Sequence, residues 1–184
     1  MNICIFGASS DRIDQAYFTA AYELGSLIGR EGYRLIFGGG QEGLMGACAR
    51  GVLQAGGKVL GIAPRFFDEP GILMKDTCDF LFTDTMSERK ARMEDEADAF
   101  IALPGGIGTL DEFSDVLCLN AIGALHKPLV LLGTDGYYEP FRQVQNKILQ
   151  EGMADPSSFS LFLITEDLDE AGRFLTTAGN VPQG

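Results

Sequence analysis

The sequence predicts an α/β fold: one parallel sheet of about seven strands, covered by helices on both faces. Three observations carry this. Apolar runs of strand length alternate with stretches of helical periodicity along the whole chain. Three of the strand-like runs end in turns rich in glycine or serine, at residues 7–10, 38–43 and 104–109. The 184 residues contain no low-complexity tract and suit a single domain spanning 1–184.

The elements follow in order. Residues 2–6 are a first strand. Asp14 precedes a helix with Tyr17, Ala20, Ala21, Leu24, Leu27 and Ile28 on one face, closing near Gly32. Residues 33–37 are a second strand, and a helix opens at Leu44 after the turn 38–43. Residues 58–63 are a third strand, stopped by Pro64. Residues 65–78 form an irregular excursion containing Pro70 and Gly71. A fourth strand spans 79–83, and a charged helix 86–97. Residues 98–103 are a fifth strand. The turn 104–108 is too glycine-rich for a helix or strand interior. From Thr109 the pattern turns helical to about Gly123, with Leu110, Phe113, Leu117 and Ala121 recurring. Thr109 is the expected N-cap, with Glu112 completing a capping box. A strand at 128–132, a helix at 137–151, a short strand at 161–164 and a helix at 166–176 complete the pattern. The tail 178–184 is expected to fray.

Strands joined through helices run parallel, and ligands of such sheets bind beyond the carboxyl ends of the strands. All three small-residue turns follow strands, so all three fall on that edge. A glycine turn that opens a helix offers bare backbone N–H groups and the positive end of the helix dipole to an anion. The ligand expected is a phosphate carrier, a nucleotide or a phosphosugar.

Composition narrows the partners. The formal charge of −12 repels nucleic-acid backbones and anionic membranes at long range. Neither a nucleic-acid polymer nor a membrane is an expected partner. A phosphate ligand then requires local cations. Arg89 and Lys90, in the charged helix after the fourth strand, lie on the ligand edge and supply them. Read blandly, the same helix is a solvated one, with Glu88–Arg92 and Lys90–Glu94 pairs. The four cysteines show no C-x-x-C spacing; Cys4, Cys48 and Cys118 fall in apolar patterns and read as buried hydrophobes of a reducing compartment. The single histidine, His126, builds no metal site alone, so no metal is expected. The start lacks the basic opening of a signal peptide, and no apolar run reaches bilayer-spanning length. A cytoplasmic protein is expected.

One motif argues for a different class. Gly38, Gly40 and Gly43 spell G-x-G-x-x-G, the fingerprint of dinucleotide-binding dehydrogenases. It follows the second strand rather than the first. The ribose-binding acid due about 20 residues later is missing, because that position falls among Gly61, Ile62 and Ala63. A nicotinamide dehydrogenase is disfavoured on both counts.

The run Pro104-Gly105-Gly106-Ile107-Gly108-Thr109-Leu110-Asp111-Glu112 resembles the P-G-G-x-G-T-x-x-E signature of the LONELY GUY (LOG) family. Those proteins are cytokinin riboside 5′-monophosphate phosphoribohydrolases, often mislabelled lysine decarboxylases. Gly38 to Gly40 with Gly43-Leu44-Met45-Gly46, Met86 with Arg89-Lys90, Lys127-Pro128, Asp135-Gly136-Tyr137-Tyr138 and Glu151-Gly152 resemble further family segments. The resemblance implies a Rossmann-like fold, a homodimer, and hydrolysis of the N-glycosidic bond of a purine nucleoside 5′-monophosphate without a cofactor. It implies Arg89 and Glu112 as catalytic residues. It places Gly105, Gly106, Gly108, Thr109, Lys90, Gly39, Gly40, Ser9 and Asp111 at the substrate, with Glu69 as the acidic contact from the excursion.

The chain departs from the family at Ser87, where a histidine is usual, at 117–120, and in the placing of His126. These departures concern the base pocket and leave open an isopentenyladenine-type base or plain adenine. A non-catalytic nucleotide binder, or a molybdenum-cofactor carrier sharing the fold, is the alternative. A lysine decarboxylase needs a lysine set up to form a Schiff base, and none stands in such a setting.

Overall fold

A computed structural model describes residues 1–178; of the tail 178–184 expected to fray, Ala178 ends the last helix, and the rest lies outside the described residues. Seven strands form one parallel sheet: β1 (Asn2–Phe6), β2 (Arg34–Phe37), β3 (Lys58–Pro64), β4 (Asp79–Thr83), β5 (Ala99–Ala102), β6 (Leu129–Leu132) and β7 (Phe162–Thr165). Their order is β4-β3-β2-β1-β5-β6-β7. Six helices connect or follow them: α1 (Gln15–Arg30), α2 (Gly43–Gln54), α3 (Met86–Glu96), α4 (Ile107–Ala121), α5 (Glu139–Gln150) and α6 (Leu168–Ala178). This is the expected Rossmann-like architecture.

Two apolar clusters, one on each face of the sheet, hold the layers together. Ile3, Ile5, Leu35 and Phe37 point toward α1, α2 and α6; Cys4, Phe6, Ile36 and Phe100 point toward α3, α4 and α5. The alternation along β1 and β2 is the period-two side-chain pattern of a strand buried on both faces. Helices α1 and α2 approach so closely that a Cβ on Gly25 would stand 2.0 Å from the carbonyl oxygen of Cys48.

Several boundaries moved. Pro64 is the last residue of β3, paired in register with Thr83, and does not stop the strand before it. Helix α1 begins as expected, with Asp14 accepting a hydrogen bond from the N–H of Ala16. Helix α4 begins three residues earlier than expected, with Gly106 in place of Thr109 as N-cap and no side-chain cap. Thr109 therefore sits inside the first turn, and the capping box it was expected to form with Glu112 does not exist. Cys4 and Cys48 are fully buried, whereas Cys118 is exposed on α4. The apolar pattern of α4 is wider than the stripe that Phe113 and Val116 bury. No described helix is long and apolar enough to cross a membrane.

The strand order reverses between β1 and β5. In open α/β sheets the crevice at that reversal, at the carboxyl ends of the strands, is where ligands sit.

Candidate active site

The three turns meet at the reversal and are tied by backbone hydrogen bonds. The Ala8 N–H donates to the Pro104 carbonyl at 3.0 Å, and the Leu44 N–H donates to the Ala8 carbonyl at 2.8 Å. The Gly43 N–H donates to Asp11 Oδ1 at 2.8 Å. Gly43 has φ +66, and a Cβ there would lie 2.1 Å from the Ala8 oxygen, so only glycine lets the second turn fold under the first. A side chain at Gly105 would collide with Thr109 Oγ1 at 2.1 Å. With no side chain capping α4, its first N–H groups are left for another acceptor.

Beside this turn cluster lie Arg89 and Glu112, the two residues expected to be catalytic. Arg89 comes from the first turns of α3, after β4, and Glu112 from the second turn of α4, after β5. Arg89 Nη1 donates to Glu112 Oε1 at 2.6 Å. Both residues are buried, at 6% and 8% exposure, among the few charged residues that are. Arg89 Nε donates to the Ile62 carbonyl of β3 at 3.2 Å, which fixes the plane of the guanidinium. Gly38 lines the same space: a Cβ there would stand 2.4 Å from Arg89 Nη2. Helix α3 is capped by Thr85, which accepts from the Glu88 N–H, while Glu88 accepts from the Asp84 N–H. Glu88 thus serves the helix start.

Burial pushes the Glu112 carboxyl above the ordinary glutamate range; the Arg89 charge and hydrogen bond pull against that shift. Burial, then the Glu112 charge, also raises the Cys4 thiol. Lys90 and Asp111, both expected at the ligand, contact each other at 3.3 Å, and Lys90 also reaches Asp115 at 2.9 Å. The hydrogen bonds to Asp115 and Asp111 raise the Lys90 ammonium despite partial desolvation.

The remaining expected residues divide. Gly105, Gly106, Gly108 and Thr109 form the α4 start, with Thr109 buried. Ser9 is exposed in the turn after β1. Gly39 is buried at φ +83, with no room for a Cβ against the Phe80 ring, so it shapes the wall. Gly40 bridges Leu73 and anchors the excursion. Glu69 is exposed in the excursion; its N–H donates to the Phe67 carbonyl, and its carbonyl accepts from the Ile72 N–H.

Four participants were not singled out from sequence as site residues: Gly38, Asp115, Tyr137 and Tyr138. The Tyr137 hydroxyl donates to the Gly105 carbonyl at 2.5 Å, and the Tyr138 hydroxyl to the Leu103 carbonyl at 2.7 Å. Tyr17 meets Tyr137 edge to face, and both help line a cavity of about 290 Å³ with Ile13, Gly105 and Gly106. The two tyrosines stood in a segment noted only for its resemblance. Gly38 was hidden in a glycine run, and nothing marked its contact with Arg89.

Fold and site together define a Rossmann-like α/β protein with a glycine turn at the sheet's reversal and a buried arginine–glutamate pair beside it. A family model described as "Possible lysine decarboxylase" matches residues 45–175. A cytokinin riboside 5′-monophosphate phosphoribohydrolase of Arabidopsis thaliana is 36% identical over 168 residues, covering 91% of this chain and 74% of the relative. A protein of the same name from Mycobacterium tuberculosis is 35% identical over 153 residues, covering 83% and 82%. The molybdenum cofactor binding protein from Rippkaea orientalis has a similar structure, with a TM-score of 0.72 at 22% identity, covering 96% of this chain and 95% of that one. That likeness is one of fold. The chain belongs to the LONELY GUY family of cytokinin riboside 5′-monophosphate phosphoribohydrolases.

Proposed function

We propose that this protein hydrolyses the N-glycosidic bond of a purine nucleoside 5′-monophosphate, giving free base and ribose 5-phosphate. The observation that carries the reading is the buried Arg89–Glu112 pair beside the glycine turn. As the C1′–N bond breaks, its electron pair leaves with the base and positive charge builds on the ribose. Glu112 faces that charge as a carboxylate and stabilises it in a site of low dielectric. It also orients the attacking water and takes its proton. The water oxygen bonds to C1′, the departing base takes up a proton from solvent, and Glu112 returns the proton it took to solvent. Arg89 holds Glu112 ionised and fixed in direction. The N–H groups at Gly105, Gly106 and Gly108, with Thr109 and Ser9, receive the 5′-phosphate. Gly39 and Gly40 shape the wall, and Glu69 reaches the ligand from the excursion.

The same pair separates this reading from a carrier, which has no use for a buried carboxylate at C1′. A lysine decarboxylase fits less well. Its Schiff-base lysine must readily lose its proton, whereas Lys90 is tied to two carboxylates that favour the charged form. We further propose a cytoplasmic homodimer joined along α4, where Ile107 and Ile122 are 83% and 76% exposed.

The test is incubation of the protein with AMP and with isopentenyladenosine 5′-monophosphate, following free base by chromatography. Release of base and ribose 5-phosphate supports the reading and ranks the two bases. Tight nucleotide binding without base release would transfer the protein to the carrier class.

A further inference from the structure

We propose that Lys90 is a positioning residue: its ammonium spans from α3 to Asp115 and Asp111 of α4, and so holds Arg89 against Glu112 instead of taking the substrate phosphate. The inference rests on the glycosidase reading of this site.

The contacts run in register. Arg89 and Lys90 are neighbours on α3, and their carboxylate partners Glu112, Asp111 and Asp115 are neighbours on α4. Asp111 and Asp115 are four residues apart, so one helix face presents both carboxylates to one ammonium. Lys90 Nζ lies 2.9 Å from Asp115 and 3.3 Å from Asp111. Its side chain is 24% exposed, less than either partner at 37% and 59%. The lysine is tucked between the helices; the aspartates form the outer rim.

Charge points the same way. One ammonium against two carboxylates leaves the trio negative, so a phosphate meets repulsion there. Glu94, one turn along α3, adds to the acidic surroundings: burial raises its carboxyl, Asp115 raises it further, and Lys90 opposes both. Removing Lys90 leaves four carboxylates, Glu94, Asp111, Glu112 and Asp115, near the interface of α3 and α4. That repulsion pushes α4 from α3 at the point where Arg89 must reach Glu112. The phosphate has a better seat at the uncapped start of α4.

The test compares Lys90→Gln, Lys90→Arg, Asp115→Asn and the double variant Lys90→Gln/Asp115→Asn, with whichever of AMP and isopentenyladenosine 5′-monophosphate the wild type turns over faster. We expect Lys90→Gln and Asp115→Asn each to lower kcat by about tenfold, with KM within about threefold, since misaligned catalytic groups slow the chemical step. Lys90→Arg recovers most of the loss. The double variant is little worse than either single, because both remove one interaction. A tenfold rise in KM for Lys90→Gln with kcat unchanged, additive losses, or no effect would each overturn the proposal. A readout independent of turnover is the Arg89 Nε–H resonance in nitrogen-15 spectra of the ligand-free protein. It should be protected from exchange in the wild type and in Lys90→Arg, and lose protection in Lys90→Gln and Asp115→Asn. If the wild type releases no base from AMP or from isopentenyladenosine 5′-monophosphate, the glycosidase reading fails. The Arg89 resonance still decides whether Lys90 holds the pair.

Discussion

Arg89 and Glu112, 23 positions apart in the chain, join α3 to α4 through a 2.6 Å ion pair that is almost closed to solvent. Breaking a buried pair from one side leaves an uncompensated charge, which costs about 3–5 kcal/mol. We expect Arg89→Ala to lower unfolding stability by an amount in that range. Arg89→Ala/Glu112→Ala should lose less than the sum of its single variants. Denaturant titration of the four proteins checks this. Additive losses would mean that the two side chains do not act as a pair.

The pair also sets a pH dependence. Burial raises the folded-state pKa of Glu112 above the ordinary glutamate value of 4.5, with Arg89 opposing the rise. The folded protein therefore holds this proton more tightly than the unfolded chain. Ionising Glu112 costs stability as pH rises from 4.5 through the folded value. Activity runs in the opposite sense, because the reaction uses the carboxylate. We expect an acidic limb in kcat/KM above the ordinary glutamate range, moved higher in any Arg89→Ala activity that survives. A carbon-13 titration of the Glu112 carboxyl in the free protein separates this limb from ionisation of the substrate phosphate.

Gly38 faces the guanidinium from the β2 turn. A Cβ there would come within 2.4 Å of Arg89 Nη2, the end of a side chain rather than backbone. Gly38→Ala should therefore displace Arg89 while leaving the fold intact. We expect kcat to fall by about a hundredfold, the scale of a misplacement of about 1 Å, with a small change in melting temperature. Unchanged kcat would show that the guanidinium position is not critical.

The α4 surface gives an assembly prediction. Ile107 at the start of α4 and Ile122 just past its end are highly exposed large hydrophobics, and a charged group there opposes a dry interface. Ile122→Asp should shift a dimer toward monomer in sedimentation velocity without unfolding it. A wild type that sediments as a monomer at all concentrations would remove the dimer from the account.

Much of the fold was legible because each strand is an apolar run closed by small residues. Asn2–Phe6 and Asp79–Thr83 lie where sequence placed them. The site was half legible. Arg89, Glu112 and the glycine turn stand in motifs, but their partners are set by tertiary contacts that local rules do not see. Thr109 and Glu112 have the spacing of a capping box. Yet Gly106 starts the helix earlier, and Arg89 from another helix takes the carboxylate. Lys90 has Glu94 at helical spacing and instead crosses to Asp111 and Asp115. Cys118 follows an apolar pattern, but α4 turns that side away from the sheet. In each case an approach between elements overrode a local preference.

The most direct test replaces Glu112 by Gln, which keeps the size and an acceptor for Arg89 while removing the charge. Free base released from AMP and nucleotide bound would be measured on the same preparation. The account expects base release to fall by at least about a hundredfold, the scale of losing one electrostatic stabiliser, with nucleotide binding kept. Turnover near that of the wild type, with the substitution verified, would contradict the assignment of Glu112 as the group that stabilises the ribosyl cation.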